Sequence, residues 1–476
     1  MPVESVWLAC ASLTIGLVGL VVATRGRTGD LLAPFSTSLI LLISIFGIRP
    51  LFMAADGAIW FYGADVSQGT PLASLVGLAG ITALVGGHWV ATVTTSRGRR
   101  QFPTEVELAP APDPTILALR FRRGLVAAIA ILGAWLAITL YMGGGTAILG
   151  QLFAGRSAAN SQFLVGVPAL VPALPVVAAV VAAVQRVTLE RVRALSRSQR
   201  LCYWLVVGLA VVPPLALGNR RFLIPSIIAG LIGASTRRWS RKVSLSLIGT
   251  SAVVFFSLTV IPFIRSAGSR TDDAGFTSAF SDRVGSEGIW GSIEKFFVSY
   301  DTEMYSYIAY AGPQIGSTSV PWGLGRGTFG DLLIAPMPAA FGPPRSWSNT
   351  LLTGLFGGTC QEGICPVPSV FGTLFFDFGL VGVVVASYLL GSWSQRWTSR
   401  YERASGSRLV ALVVVAAVAP VAARGNFPAQ VSIALQVAVA ALAVDWWVRQ
   451  ARPGRAGPLP VAHRRSWRGR SSVPRR

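Results

Sequence analysis

The sequence predicts an all-α polytopic integral membrane protein, with about eleven transmembrane helices and one large extracytoplasmic loop before the ninth. Three observations lead there. The 476 residues are 52% hydrophobic and only 13% charged, whereas a soluble domain is about a quarter charged. The apolar residues fall in runs close to the roughly 20 needed to cross about 30 Å of hydrocarbon. The short alternating segments of a β-barrel are missing.

The runs are 4–24, 32–54, 72–95, 124–142, 164–184, 201–217, 222–236, 243–264, 369–392, 408–423 and 428–447. The first follows MPVES, which has no basic segment, so it reads as a retained helix and not a cleaved leader. The second carries "GIRPLF" near its end, with Arg49 inside it. The third holds His88, and the fourth runs into the glycine-rich "GGGTAILGQLFAGR". The sixth and seventh are short and separated by "GNRR". This divides the chain into spans one to eight (1–264), a long loop (265–368), spans nine to eleven (369–447) and a basic tail (448–476).

Orientation follows from the basic residues of the short loops, which stay on the cytoplasmic side. With the N-terminus outside, the inner segments 25–31, 96–123, 185–200, 237–242, 393–408 and the tail hold 30 of the 41 Lys and Arg. The net charge of +21 is thereby a topology signal and not a nucleic-acid surface. The tail "RRSWRGRSSVPRR" suits anionic headgroups, so membrane lipids are expected partners. The Arg, Ala and Gly bias fits a GC-rich bacterial genome, and the plasma membrane is the expected location.

Eleven basic residues escape the rule: Arg49, Arg156, Arg220, Arg221, Arg265, Arg270, Arg283, Lys295, Arg326, Arg345 and Arg424. All fall at or near the outer face on this topology. Arg220 and Arg221 occupy a very short turn with Asn219, at headgroup level. Arg345 follows Pro343 and Pro344 in "FGPPRSWSN", where the two prolines stiffen the approach. The arginine fork binds phosphate oxygens bidentately and stays charged. An arginine set at an outer membrane surface therefore fits a lipid-linked phosphate or diphosphate, and nearby aromatics such as Trp347 fit a sugar face or the lipid interface.

The loop carries six basic and nine acidic residues. Its stretch 288–312 has aromatics at helical spacing and predicts a helix lying on the bilayer. The remainder, rich in Gly and Pro, predicts ordered irregular structure. Cys360 and Cys365 face the oxidising side and are expected to form a small disulfide staple. No metal site is expected, since neither histidine lies outside and no zinc spacing occurs. No nucleotide motif or other cofactor signature occurs. Among carboxylates, Asp377 lies within span nine, where an ionisable residue is a functional-site hypothesis by default. Asp56, Asp65, Glu303 and Glu362 are weaker candidates for a base.

One long stretch resembles a known family. In "GLGRGTFGDLLIAPMPAAFGPPRSWSN" and the following "PVPSVFGTLFFDFGLVG", the carriers are Gly327, Thr328 and Phe329; Pro343, Pro344, Arg345 and Trp347; Pro368 and Ser369; and Asp377, Phe378 and Gly379. Gly218-Asn219-Arg220, "GIRPLF" and the glycine-rich segment ending in Arg156 are similar too. They resemble the oligosaccharide repeat-unit polymerases, the Wzy-type or O-antigen polymerase class. Thr373 stands where many members carry Glu, and Ser348-Asn349 where Lys-Pro is common, so those roles do not transfer. The resemblance implies a nucleotide- and metal-independent glycosyltransferase. It would join polyprenyl-diphosphate-linked oligosaccharides on the outer leaflet, alongside a flippase and a chain-length regulator. Arg220, Arg345, Arg156, Arg221, Arg49 and Arg424 would bind diphosphate, Trp347 and Asn219 would touch sugar or lipid, and Asp377 is the candidate base. A lipid-glycan ligase or another lipid-phosphosugar transferase would use the same arginines. A lipid-linked oligosaccharide flippase is the non-enzymatic alternative.

Overall fold

The computed structural model describes residues 1–25, 31–57, 59–101, 113–142, 170–216, 220–234, 303–335, 337, 346–356, 367–401 and 404–450. Among these, nine helices are long and apolar enough to cross a membrane, and Arg221–Ala234 is a shorter apolar helix. The protein is thus an all-α, multi-pass membrane protein. These ten helices coincide with ten of the eleven expected spans; the other, 243–264, lies outside the described residues, as does the tail 451–476.

The helices form two packed groups. The first comprises α1 (Val3–Arg25), the broken span α2 (Pro34–Ile43) and α3 (Arg49–Asp56), α4 (Thr70–Gln101) and, much later, α12 (Ser369–Tyr401). The second comprises α5 (Pro114–Met142), α6 (Leu170–Glu190), α7 (Arg197–Ala216), α8 (Arg220–Ala234), α13 (Gly406–Arg424) and α14 (Phe427–Gln450). A helix apolar on every side belongs in the middle of a bundle. The Val- and Ala-rich α6 is that helix, 89% buried over its apolar window. On α7, Leu201, Leu205 and Leu209 recur at helical spacing and stay exposed, which marks a lipid-facing stripe. Trp446 and Trp447, exposed at the end of α14, suit the interface between lipid and water.

Small residues let α4 and α12 approach closely. A Cβ on Gly87 would meet the Tyr388 carbonyl oxygen at 2.0 Å, and one on Gly391 the Leu84 carbonyl oxygen at 2.1 Å. Ser392 Oγ donates to the Gly87 carbonyl at 3.0 Å.

Two spans depart from simple helices. The second passes through a π-helical turn, Ser44–Ile48, before restarting at Arg49. Pro50 has no N–H to continue an α-helical ladder there, and the wider turn absorbs the interruption. The ninth expected span is interrupted at Gly379, whose φ of 66° and ψ of −163° are accessible essentially to glycine alone.

The contacts sort helix ends onto two faces. Ser5 Oγ meets Thr70 Oγ1 at 2.9 Å, Arg49 reaches Ser306, and Arg221 reaches Gln430, so these share one face. On the other, Arg191 donates to the Ala404 carbonyl and, at 2.9 Å, to that of Tyr401. This sharing agrees with the expected alternation of the described ends.

The described part of the long loop is folded onto the first face as short helices. Of the stretch 288–312, expected as a helix on the bilayer, residues 288–302 lie outside the described residues, and the described part, α9 (Met304–Ala311), does not lie on lipid. It is inserted against α4, with Tyr305 and Tyr307 at most 1% exposed. The reason is polar satisfaction: Tyr305 Oη donates to the Thr70 carbonyl at 3.0 Å and meets Ser74 Oγ at 2.8 Å. Burial pushes both hydroxyls above the ordinary phenol range. Further along come a π-helical turn at Arg326–Gly330, α10 (Asp331–Ile334) and α11 (Trp347–Phe356).

Candidate functional site

Three spans bring arginine to the loop face. Arg49 opens α3 directly after the π-helical turn and is buried. Its Nη2 donates to Ser306 Oγ of α9 at 3.0 Å, and that hydroxyl donates onward to Met53 Sδ at 3.7 Å. Arg424 ends α13. Glu303, immediately before α9 and 3% exposed, lies within electrostatic reach of both Arg49 and Arg424. A buried carboxylate is tolerable only with such partners. Arg221, in the first turn of α8, donates from Nε to Gln430 Oε1 at 3.3 Å and from Nη2 to the Ala429 carbonyl at 3.2 Å, tying α8 to α14.

Beside this group the loop is clasped to the helices through Asp377 and Asn426, and Asp331 braces it from within. Asp377, the last residue but one before the break in α12, accepts hydrogen bonds from Gly327 N (3.1 Å), Thr328 N (2.6 Å) and Thr328 Oγ1 (2.6 Å). The first two are open N–H groups at the start of the π-helical turn. The neighbouring Phe376 carbonyl accepts from Gly323 N at 3.0 Å. A Cβ on Gly323 would lie 1.9 Å from Asp377 Oδ1, and one on Gly327 2.6 Å from the Trp347 ring, so the two glycines leave room for these side chains. Asp331 caps α11, accepting from Trp347 N (2.6 Å), Ser348 N (3.1 Å) and Ser348 Oγ (2.8 Å). Asn426 Nδ2, two residues past Arg424, donates to Ser348 Oγ at 3.0 Å and closes the clasp.

Of the residues singled out from the sequence, Arg49 and Arg424 both lie within electrostatic reach of Glu303, and Arg221 shares their face. Asp377 and Trp347 meet in the clasp, with all three donors to Asp377 coming from the loop. Trp347 is 6% exposed, and its buried Nε1 has no hydrogen-bond partner among the described residues. Arg156, Asn219, Arg345, Cys360 and Cys365 lie outside the described residues, as does the side chain of Arg220. Sequence reasoning did not single out Ser306, Asp331, Ser348, Asn426 or Gln430. Only Asp331 carried a signal, an acid close after a glycine-rich segment.

Fold and site define a class: a polytopic α-helical membrane protein with a loop clasped over one face, where Arg49 is buried and Arg221 and Arg424 are half-buried. A scan against protein-family models and searches of curated proteins and solved structures return no match to this chain.

Proposed function

We propose that the protein is a polysaccharide polymerase that joins polyprenyl-diphosphate-linked oligosaccharide repeat units on the outer leaflet of a bacterial plasma membrane. The observation that supports this reading is that Arg49 and Arg424, from separate spans, both lie within electrostatic reach of buried Glu303. Arginines fixed in a water-poor site stabilise negative charge that develops in a transition state. In the proposed reaction an acceptor hydroxyl oxygen bonds to the anomeric carbon of the donor. The bond from that carbon to the diphosphate breaks, and the diphosphate leaves with the electron pair. The arginines take up its charge, which removes any need for a nucleotide.

The hydroxyl proton requires a base. Glu303 suits this role by position: a diphosphate that draws the two guanidiniums toward itself leaves this carboxylate free to accept a proton. Asp377, expected from the sequence as the base, is instead engaged by three donors of the clasp and fits a positioning role. The break at Gly379 supports a second reading, because discontinuous helices build substrate sites in transporters. That transporter would move the same lipid-linked glycan.

The test is incubation of purified protein with a lipid-diphosphate repeat unit. A polymerase gives a ladder of products, a ligase gives one transfer to a different acceptor, and a transporter gives no covalent product. Absence of any product with folded protein removes the enzymatic reading. In cells, loss of a polymerase leaves single repeat units displayed outside, whereas loss of a transporter leaves none.

A further inference from the structure

On the face opposite the clasp, a cavity of about 410 Å³ lies between the start of α5, the end of α6, the start of α13 and the end of α14. Three arginines line it, each from a different helix: Arg120, Arg408 and Arg449. Among the described residues its one carboxylate, Asp445, is already engaged. It accepts from Gln185 Nε2 at 2.9 Å and pairs with Arg449. Positive charge is therefore in excess within the cavity.

Two further features add to it. Arg120 Nε is shielded from solvent and has no hydrogen-bond partner among the described residues, and an orphaned buried donor is costly unless a ligand supplies the acceptor. The positive end of the 19-residue α13 also meets the cavity through Gly406, Ser407 and Arg408, and its N-cap, Ser405, makes no side-chain capping bond. Gly406 has φ 64°, and a Cβ there would come within 2.4 Å of Arg449 Nη1. The glycine thus makes room for the Asp445-paired guanidinium of Arg449 directly against a helix N-terminus, which adds to the positive character of the cavity.

We propose that this cavity binds a phosphate-bearing anion, carried either by an anionic phospholipid headgroup or by a soluble phosphate ester. Oxygen atoms of a phosphate match both the arginine forks and the open N–H groups of a helix start. The volume exceeds what one phosphate fills, leaving room for a substituent such as glycerol.

The test uses delipidated, detergent-solubilised protein and native mass spectrometry, with phosphatidylglycerol, phosphatidylcholine and inorganic phosphate as probes. A lipid source predicts that phosphatidylglycerol binds at least about tenfold more tightly than phosphatidylcholine. A soluble source predicts that inorganic phosphate binds and phosphatidylglycerol gains nothing over phosphatidylcholine. In either case Arg408→Gln, at an exposed position, and the double variant Arg120→Gln/Arg408→Gln weaken the favoured probe by about tenfold or more. Arg200→Gln, an exposed arginine of the same face, leaves it unchanged. The proposal is overturned if wild-type protein shows neither preference nor phosphate binding, or if Arg408→Gln protein that elutes as folded binds as wild type does. The wild-type comparison stands alone if the double variant does not fold.

Discussion

At Arg49, burial determines what each substitution reports. Arg49→Ala leaves Glu303 short of a partner in a dry site, which costs about 3–5 kcal/mol; its expected result is less protein in the membrane, read by immunoblot. Arg49→Lys and Arg424→Lys keep the charge and lose the fork. Both should hold near-normal protein levels and yield strongly shortened glycan in a deletion strain. Wild-type ladders from both would remove the arginine mechanism. Asp377 calls for a different measurement. Asp377→Asn places an amide N–H₂ or a weaker acceptor before three donors, a loss of roughly 2–3 kcal/mol. A lowered melting temperature with activity reduced in proportion is the expected outcome for a positioning residue. Lost activity at unchanged melting temperature would assign Asp377 to the chemistry instead. The residue scale is also where the sequence was least legible. Arg49 and Arg424 could be singled out because they defy the charge asymmetry of the loops. Their meeting with Glu303 could not, since Arg49 and the helix that follows Glu303 touch across 257 residues of sequence.

Helices were the most legible level, because bilayer thickness dictates their length and composition whatever their neighbours. Their interruptions were not. Gly379 reads like any glycine of an apolar span, and only the observed backbone reveals a conformation closed to other residues. Gly379→Ala should therefore destabilise by about 1–3 kcal/mol, although space exists for the added methyl, whose nearest neighbour is Trp322 at 3.6 Å. A thermal scan of the solubilised variant measures it, and an unchanged midpoint would mean the break is not strained. Gly87 is the opposite case, a glycine of ordinary conformation pressed against a carbonyl oxygen. Gly87→Val must part α4 from α12, and overpacking of this kind costs about 1–3 kcal/mol or more. Loss of monodisperse elution from detergent is the expected readout. The loop helix α9 shows why periodicity alone misled: aromatics at helical spacing fit a lipid surface and a protein groove equally well. The hydroxyl partners on Thr70 and Ser74 decide for the groove.

For the whole molecule, the two-faced sorting of helix ends makes topology the decisive measurement. The 30 basic residues of the expected inner segments predict an N-out, C-in chain. Reporter fusions at residue 320 and at the C-terminus should lie in opposite compartments. Fusions in the same compartment would break the alternation and, with it, the placement of Arg49, Arg221 and Arg424 on the outer leaflet.

The clasp also has a timetable set by synthesis. Thr328 is made 49 residues before its anchor Asp377, and Ser348 78 residues before Asn426. At about 5–20 residues per second, the last fastening waits roughly 4–16 s after Ser348 is joined. Within that interval α12 and its Asp377 are made first, and the Asn426 fastening comes last. The clasp is therefore complete only once the chain has passed Asn426, and a chain that stalls earlier carries its early arginines without that cover.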